Sequence, residues 1–263
     1  MKKIKENTKY IRVLGLILLF SLNVEAYSIE QTLEDDLRSS YNKERDVYRH
    51  PAETLSFFGI TQEMTVVELS PGSGWYTEIL ALYLSGHGKL ITAAYDATKG
   101  SYQKRSREKY ESKLSSDIKY NKVEVVNLGE SLAPKGTVDA VLTFRNLHNW
   151  LGPYMDTLFN QSFDALKSGG IFGVVEHRAN LGTSFKAMKK SGYVTEQLAI
   201  KKAKDAGFIL VKSSEINANP KDTKDYEKGV WTLPPSYRLK DVNKSRYFEI
   251  GESDRMTLLF KKP

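Results

Sequence analysis

The sequence of 263 residues contains no cysteine and only four histidines. The lack of cysteine excludes disulfides, thiolate metal ligands, a cysteine nucleophile and the lipid attachment of a lipoprotein. No two histidines have the HExxH spacing of a metalloprotease zinc site. With so few histidines and no thiolate, we expect no dedicated metal site.

A large excess of charge of one sign is also missing. The whole chain carries a net charge of +7, of which residues 1–26 supply +3, so the remainder carries only +4. A field this weak does not imply nucleic-acid binding, and the basic residues between 104 and 109 lie among glutamates, as on a solvated helix face. We expect a small-molecule substrate and no nucleic acid as partner, while the oligomeric state stays open.

The apolar run at the N-terminus spans only ten residues, 13–22, which is too short for an ordinary membrane-spanning helix. Basic residues precede this run, and the small residues of Val24-Glu25-Ala26 suit cleavage before Tyr27. We predict a cleaved signal peptide over residues 1–26, a periplasmic or secreted protein, and no stable membrane span after cleavage. An uncleaved N-terminal anchor is the alternative.

Internal repeats are absent, and strand and helix patterns alternate instead. Apolar runs predict strands at 64–70, 89–95, 122–128, 138–144, 171–176, 208–213 and 255–260. Helical patterns lie near 75–85, 102–114, 153–167 and 193–206, and Ser168-Gly169-Gly170 is expected to end the third of these. This alternation predicts an α/β fold with a doubly wound, mostly parallel sheet that is covered on both faces.

Two further segments accompany this unit. Apolar residues recur every four positions from Ile29 to Tyr41 and predict one amphipathic helix, and Pro51 suits the first position of a helix over 51–58. We therefore predict an N-terminal helical cap over 27–60 and the main domain over 61–263. About forty residues, 214–254, separate the last two strands, and their aromatic residues and prolines favour an ordered lid over a flexible excursion.

A glycine-bearing loop follows the first strand. Ser70-Pro71-Gly72-Ser73-Gly74 lies between Glu68, at the strand end, and the helix that begins near Trp75. Glycines let the backbone approach a ligand closely, and a helix start offers unpaired N–H groups. A dinucleotide fingerprint would have a third glycine where Thr77 stands, which disfavours a nicotinamide cofactor. We expect Glu68, Ser70, Gly72 and Gly74 to bind a cofactor; a tight turn without a ligand is the alternative.

Acidic residues follow the next two strands. Asp96 comes 22 residues after Gly74, where a carboxylate is suited to accept hydrogen bonds from both hydroxyls of a ribose. A helix N-cap is the alternative role for Asp96. Glu130 follows the third strand and is expected at the same cofactor site.

Polar and aromatic residues follow the fourth strand. His148 is titratable near neutral pH and is a candidate general base, and Arg145 is suited to hold a substrate anion with two parallel hydrogen bonds. We group Asn146 with them as candidate catalytic residues. The alternative for His148 is a structural role, capping the strand or packing below the cofactor.

Three charged or titratable residues, Glu176, His177 and Arg178, come directly after the apolar fifth strand. Such groups are costly to bury unless they are paired, so we expect them to face the same cleft. A structural ion pair is the alternative. Together with Arg49, His50 and Trp231, they are the candidate substrate-binding residues.

Several segments resemble a bacterial family of predicted class I S-adenosyl-L-methionine (SAM) methyltransferases, whose members are often exported and whose substrate is not established. Glu68-Leu69-Ser70-Pro71-Gly72-Ser73-Gly74 is similar to motif I of that class, acid-x-Gly-x-Gly-x-Gly, with serine at the first glycine position. The other similar segments are 48–54 (YRHPAET), 143–150 (TFRNLHNW), 176–178 (EHR), 191–194 (SGYV), 214–222 (SEINANPKD), 229–235 (GVWTLPP) and 251–256 (GESDRM). The resemblance implies a seven-stranded Rossmann-like sheet whose last strand is antiparallel, a SAM site at 68–74, and Glu130 near the adenine amino group.

The expected function is therefore that of a SAM-dependent methyltransferase that acts on a small or medium-sized substrate in the cell envelope. SAM is made in the cytoplasm, however, and an exported enzyme would need a supply of it. The alternative is an exported protein of the same fold that binds another ligand or catalyses SAM-independent chemistry. A nicotinamide-dependent oxidoreductase is a third, weaker hypothesis.

Overall fold

The computed structural model describes residues 27–263, so the predicted signal peptide lies outside the described residues. The strands are β1 (Thr65–Leu69), β2 (Lys89–Ala94), β3 (Glu124–Asn127), β4 (Val138–Phe144), β5 (Leu166–His177), β6 (Ile209–Ser214) and β7 (Arg255–Lys261). They form one sheet in the order β3-β2-β1-β4-β5-β7-β6. The first five strands pair in parallel, whereas β7 is antiparallel to β5 and β6. The predicted doubly wound, mostly parallel seven-stranded sheet is confirmed.

Helices cover both faces of this sheet. They are α1 (Ile29–Glu34), α2 (Ser40–Lys43), α3 (Asp46–Arg49), α4 (Pro51–Phe58), α5 (Trp75–Tyr83), α6 (Ser101–Leu114), α7 (Pro153–Ala165), α8 (Phe185–Ser191), α9 (Glu196–Asp205) and α10 (Lys244–Ile250). Within residues 27–263, no helix has the length and apolar composition needed to cross a membrane.

The two faces of the sheet carry separate apolar cores. Alternate residues of β1 point to opposite sides, so Val67 belongs to one cluster and Val66 to the other. Helices α7 and α9 cover the first cluster, whereas α4 and α5 cover the second. Burial on both faces explains why the parallel strands read as nearly continuous apolar runs.

The single N-terminal helix expected from Ile29 to Tyr41 is wrong. Helix α1 ends at Glu34, because Asp35 is extended and its carboxylate accepts a 2.8 Å hydrogen bond from the backbone N–H of Leu37. This side-chain bond offers the backbone an alternative to continuing the helix. Tyr41 then lies on the separate helix α2 with 57% of its surface exposed.

The helix end expected at Ser168-Gly169-Gly170 is also wrong. Helix α7 ends at Ala165, and β5 already begins at Leu166. The backbone of Gly169 donates to Lys262, and Lys262 donates back to Gly170, both at 2.9 Å. Pairing with the distant C-terminal segment therefore draws the two glycines into extended structure. The start of β5 comes five residues earlier than predicted, and the remaining predicted bounds differ from the observed ones by up to three residues.

The segment between β6 and β7 is ordered by close packing. It contains α10 and a short 3₁₀ helix, Gly229–Thr232. Gly229 has a φ of +55°, and a Cβ there would lie only 2.5 Å from the Cα of Ser191, at the end of α8. The 3₁₀ helix is thereby fixed against α8, which places Trp231 beside the carboxyl ends of β4 and β5.

Candidate functional site

The candidate residues follow neighbouring strands of the parallel sheet. The sheet order β2-β1-β4-β5 brings the carboxyl ends of these four strands to one edge. Because adjacent strands lie about 4.8 Å apart, the ends of β2 and β5 are separated by roughly 14 Å. The glycine loop after β1 therefore lies between the residues that follow β2 and those that follow β4 and β5.

Three residues of the glycine loop have left-handed backbone conformations. Ser70, Gly72 and Gly74 have φ values of +53°, +62° and +80°. Ser70 thus keeps, at an energetic cost, the conformation that glycine would reach most easily at the first glycine position of motif I. The Asn146 side chain donates to the carbonyls of Leu69 and Ser70, both at 3.2 Å, and so holds the loop from the end of β4.

The two glycines of the loop have different surroundings. A Cβ on Gly74 would lie 3.0 Å from the Lys113 side chain and 3.3 Å from Tyr110, so Gly74 leaves room for α6 to pack. A Cβ on Gly72 would meet nothing within 4 Å. The backbone around Gly72 therefore borders open space that a ligand can occupy.

Glu68 is buried behind this loop rather than facing a cavity. Only 3% of its surface is exposed, and its Oε2 accepts a 2.6 Å hydrogen bond from the hydroxyl of Thr77. Burial raises the pKa of Glu68 to about 7. Thr77, which replaces the third glycine of a dinucleotide fingerprint, therefore has a defined partner inside the fold.

The ends of β2 and β3 enclose a cavity of about 340 Å³, which we call the Asp96 cavity. It is lined by Tyr95, Asp96, Lys99, Gln103, Leu128, Gly129, Glu130 and Tyr154. The structure thus brings together Asp96 and Glu130, which are far apart in the sequence. Oδ1 of Asp96 accepts hydrogen bonds from the N–H (2.9 Å) and the hydroxyl (2.8 Å) of Thr98, so Asp96 is also the N-cap of a 3₁₀ helix. The backbone hydrogen bond from Thr98 lowers the pKa of Asp96 and keeps the carboxylate charged.

The wall of the Asp96 cavity depends on one glycine. Gly129 has a φ of +93°, and a Cβ there would lie 2.9 Å from the hydroxyl oxygen of Tyr154. That hydroxyl donates a 3.3 Å hydrogen bond to the carbonyl of Leu128. Tyr95 and Tyr154 therefore add aromatic surface to a cavity that already holds two carboxylates. Hydrogen-bond acceptors beside aromatic walls suit a ligand with a flat, polar ring system.

A second cavity, of about 180 Å³, lies beyond the ends of β4 and β5, and we call it the Arg145 cavity. Its lining residues are Arg145, His148, His177, Val230, Trp231, Pro234, Pro235, Ser236, Glu252 and Ser253. Arg145, His148, His177 and Trp231 are therefore brought together. The Trp231 ring meets His148 edge to face at 5.9 Å, while the Arg238 guanidinium lies 4.6 Å from its centre.

His148 is oriented by a fully buried carboxylate. Its Nδ1 lies 3.0 Å from Oε1 of Glu176, which also accepts a 2.7 Å hydrogen bond from the backbone N–H of His177. The other oxygen of Glu176 accepts from the backbone N–H of Leu147. Because this carboxylate accepts only, it favours the tautomer with the proton on Nδ1, which leaves Nε2 of His148 free to take a proton.

His148, Glu176 and His177 also form a group whose potential ligand atoms lie within 4.8 Å of one another. Two imidazoles and one carboxylate are a known ligand set for zinc. His177, however, has a pKa well below its ordinary value because it is buried and lies near His148, Arg145 and Arg255. The low pKa keeps His177 neutral, which is also the form in which an imidazole binds a metal, so this shift alone does not decide whether the group holds one.

Arg49 and His50 do not line the Arg145 cavity. Arg49 is 2% exposed and lies 3.1 Å from Oε2 of Glu252, the same carboxylate that binds Arg45 and Arg255. His50 lines a separate cavity of about 280 Å³.

Arg178 lies in an ion-pair network rather than in the Arg145 cavity. Its guanidinium binds Asp254 at 2.8 Å and Glu215 at 2.6 Å, with Glu196 at 3.4 Å. The contacts of Arg178 are therefore those of a structural ion pair, which was the alternative to a position in the cleft.

Some lining residues were not predicted. Ser236, Glu252 and Ser253 line the Arg145 cavity, and Tyr95 and Tyr154 line the Asp96 cavity. The position of Tyr95, directly after β2, was a usable signal. Glu252 and Ser253 lie in a segment that resembles the methyltransferase family, but nothing in the sequence places that segment beside β4.

Neither a protein-family model nor a curated protein sequence matches this chain. Its structure is similar to that of the [4+2]-cyclase SpnF, with a TM-score of 0.60 and 15% identity over 88% of this chain and 86% of the cyclase. It is similar to a SAM dependent methyltransferase from Aquifex aeolicus, with a TM-score of 0.54 and 17% identity over 73% of this chain and 94% of that one. It is also similar to geranyl diphosphate C-methyltransferase from Streptomyces coelicolor A3(2), with a TM-score of 0.56 and 13% identity over 88% and 87% of the two chains. The chain therefore has the Rossmann-like fold of the class I SAM-dependent methyltransferases.

Proposed function

We propose that the protein is a SAM-dependent methyltransferase of the cell envelope that acts on a small or medium-sized substrate. The observation that carries this proposal is the Asp96 cavity, in which Asp96 and Glu130 lie together and whose wall residue Tyr95 also borders the glycine loop at Ser70 and Gly72. Two carboxylates at the ends of adjacent strands suit the hydroxyl and amino groups of an adenosine.

The residues present fit SAM. Asp96 would accept hydrogen bonds from the ribose hydroxyls, and Glu130 would accept from the adenine amino group. The open space beside Gly72 would admit the part of the cofactor that lies against the loop. When bound, SAM supplies an electrophilic methyl group on a sulfonium.

The Arg145 cavity would hold the methyl acceptor. His148, oriented by Glu176, would take the proton that an acceptor hydroxyl or amine loses on methylation. The walls formed by Trp231 and the two prolines would exclude water and align the acceptor. Methyl transfer depends chiefly on such alignment, so one positioned base is sufficient.

Two of the structural neighbours are named as methyltransferases, which supports this proposal. The third is named as a [4+2]-cyclase, a reaction other than methyl transfer, which supports the alternative of other chemistry on the same fold. The two hypotheses differ in what the Asp96 cavity binds, so a binding experiment separates them.

Calorimetry with SAM and S-adenosylhomocysteine on residues 27–263 tests the proposal. We expect both to bind, and Asp96→Asn, which keeps the side-chain cap of the 3₁₀ helix, to weaken binding about tenfold or more through loss of a charged acceptor. Asp117→Asn is the matched control. Asp117 caps another 3₁₀ helix by accepting a 2.9 Å hydrogen bond from the backbone N–H of Lys119, and it lies outside the Asp96 cavity. Absence of binding at millimolar SAM would reject the proposal in favour of SAM-independent chemistry.

The cell-envelope location is a separate part of the proposal and is supported by the pattern of residues 1–26. Fractionation followed by N-terminal sequencing tests it. We expect the mature protein to begin at Tyr27 in the periplasmic or secreted fraction. A chain that keeps Met1 and remains in the cytosol would contradict this location without affecting the SAM proposal.

A further inference from the structure

Arg145 differs from the other buried or partly buried arginines in having no acidic partner. Within residues 27–263, no oxygen accepts a hydrogen bond from its guanidinium, although the side chain is partly buried and lines the Arg145 cavity. Arg49 and Arg255, by contrast, bind Glu252, and Arg178 binds Asp254. A guanidinium withdrawn from water without a hydrogen-bonded carboxylate is costly, so the presence of an arginine at this position needs an explanation.

The backbone at Arg145 adds to that cost. Its φ is +62°, in the left-handed region that is unfavourable for a side chain of this size, and its N–H donates a 2.7 Å hydrogen bond to the carbonyl of Val175. Glycine or asparagine would meet this backbone requirement with less strain. Neither the turn nor a structural ion pair therefore accounts for an arginine here, and strained residues of this kind cluster at ligand sites.

The charges around the cavity do not balance. Arg45, Arg49 and Arg255 bind Glu252, and Arg145 lies near the same carboxylate and near Glu176. The four arginines of this group therefore outnumber its two carboxylates by two. Burial lowers the pKa of Arg145 to about 10. The nearby Glu252 opposes this shift, whereas Arg255 and Arg45 add to it, and the guanidinium stays charged at neutral pH.

The cavity has the size and the polar groups for a small oxyanion. Its volume of about 180 Å³ corresponds to roughly six water molecules. Ser236 and Ser253 line the cavity together with Arg145, and the Ser253 hydroxyl lies 2.5 Å from Nδ1 of His177. The planar guanidinium offers two parallel N–H groups that match the oxygens of a carboxylate or phosphate.

We propose that Arg145 binds an oxyanion, a carboxylate or phosphate group, of the molecule that occupies this cavity. Taking that molecule to be the methyl acceptor rests on the proposed function; the anion site itself does not. A metal at His148, Glu176 and His177 is disfavoured because it would add positive charge to a surplus, and because both oxygens of Glu176 already accept backbone N–H bonds.

Inorganic phosphate and acetate, titrated separately into residues 27–263 in the absence of SAM, are the probes. We expect at least one of them to bind, and Arg145→Gly to weaken that binding about tenfold or more, as loss of a charge-assisted bidentate contact predicts. Arg145→Gly should also keep or raise the melting temperature, because glycine relieves the left-handed strain. Arg246→Gln, on the exposed surface of α10, is the control and should leave anion binding unchanged.

The outcomes separate this proposal from the SAM proposal. Asp96→Asn should bind the anion like the wild type, whatever it does to SAM binding. The anion site is rejected if wild-type protein binds neither probe, or if Arg145→Gly binds as tightly as wild type. Binding of Zn²⁺ without binding of either anion would also overturn it. Arg145→Lys keeps the positive charge but lacks the two parallel N–H groups of the guanidinium. An anion affinity between those of the wild type and Arg145→Gly would therefore support the bidentate contact.

Discussion

The hydroxyl of Thr77, on α5, donates a 2.6 Å hydrogen bond to Oε2 of Glu68, at the end of β1. This bond spans the glycine loop and ties its two flanking elements together. Burial has the larger effect on the pKa of Glu68 and raises that pKa to about 7, although the hydrogen bond lowers it. The acid of motif I therefore belongs to the support of the loop in this structure.

Replacing Glu68 by glutamine should change how stability depends on pH. The folded protein holds the Glu68 proton more tightly than the unfolded chain, in which the pKa is 4.5, so stability falls as the pH rises from about 4.5 to about 7. Glu68→Gln removes this dependence. The variant should match the wild type near pH 4.5 and exceed it at pH 8 by up to about 3 kcal/mol. Urea unfolding between pH 4.5 and 8 measures this difference.

The control for that experiment is Glu108→Gln, on the exposed surface of α6. Its unfolding free energy should differ from that of the wild type by the same small amount at each pH. If Glu68→Gln were less stable than the wild type at pH 8, the carboxylate would be stabilised by its surroundings, contrary to the burial argument.

Loss of the Glu252 charge should destabilise the fold strongly. Its carboxylate is 3% exposed and binds Arg45 at 2.7 Å, Arg49 at 3.1 Å and Arg255 at 3.2 Å. Glu252→Gln leaves three closely spaced cations without a counter-charge, so we expect a loss of about 3–5 kcal/mol in unfolding free energy. Glu215→Gln is the comparison, because Glu215 binds Arg178 at 2.6 Å but is 70% exposed, and it should lose less than about 1 kcal/mol. Equal losses in the two variants would contradict the role of burial.

The sheet was predictable because its strands carry a local signal. Strands buried on both faces are nearly continuous apolar runs, and the observed bounds of β1 to β4 lie within two residues of the predicted ones. The prediction of one helix from Ile29 to Tyr41 was wrong because the Asp35 side chain accepts a hydrogen bond from the backbone N–H of Leu37. The prediction that Gly169 and Gly170 end α7 was wrong because their hydrogen-bond partner, Lys262, is distant in the sequence.

The candidate site likewise contains residues that the sequence identifies locally and contacts that depend on distant segments. Asp96, Glu130, Arg145 and His148 were identifiable because each follows a strand of a parallel sheet, and such positions share one edge. The partners of Arg49 and Arg178 were not identifiable, since Glu252 and Asp254 come from a segment about two hundred and about eighty residues away. Spacing along the chain contains no information about contacts of that kind, which depend on the path of the segment between β6 and β7.

Packing of that segment can be tested at Gly229. A Cβ there would overlap the backbone of Ser191, which cannot move as a flexible side chain can. We expect Gly229→Ala to cost about 2 kcal/mol or more, from overlap added to left-handed strain. Gly182→Ala has the same kind of strain, with a φ of +79°, but its Cβ would meet nothing within 4 Å. Thermal unfolding should therefore show a clearly smaller loss for Gly182→Ala, and equal losses would mean that the segment is not fixed against α8.

Gly129 offers a test of the Asp96 cavity that separates ligand binding from stability. A Cβ at Gly129 would displace Tyr154 from its position beside Asp96 and Glu130, whereas a Cβ at Gly136 would meet nothing within 4 Å. Both glycines have positive φ, at +93° and +68°, so alanine at either position should cost about 1–2 kcal/mol of stability. Only Gly129→Ala should lower the affinity for SAM, by about tenfold if stacking on Tyr154 is lost. Calorimetry at a temperature where both variants are folded measures this, and an equal loss of SAM affinity in both would show that strain, rather than the shape of the cavity, had been measured.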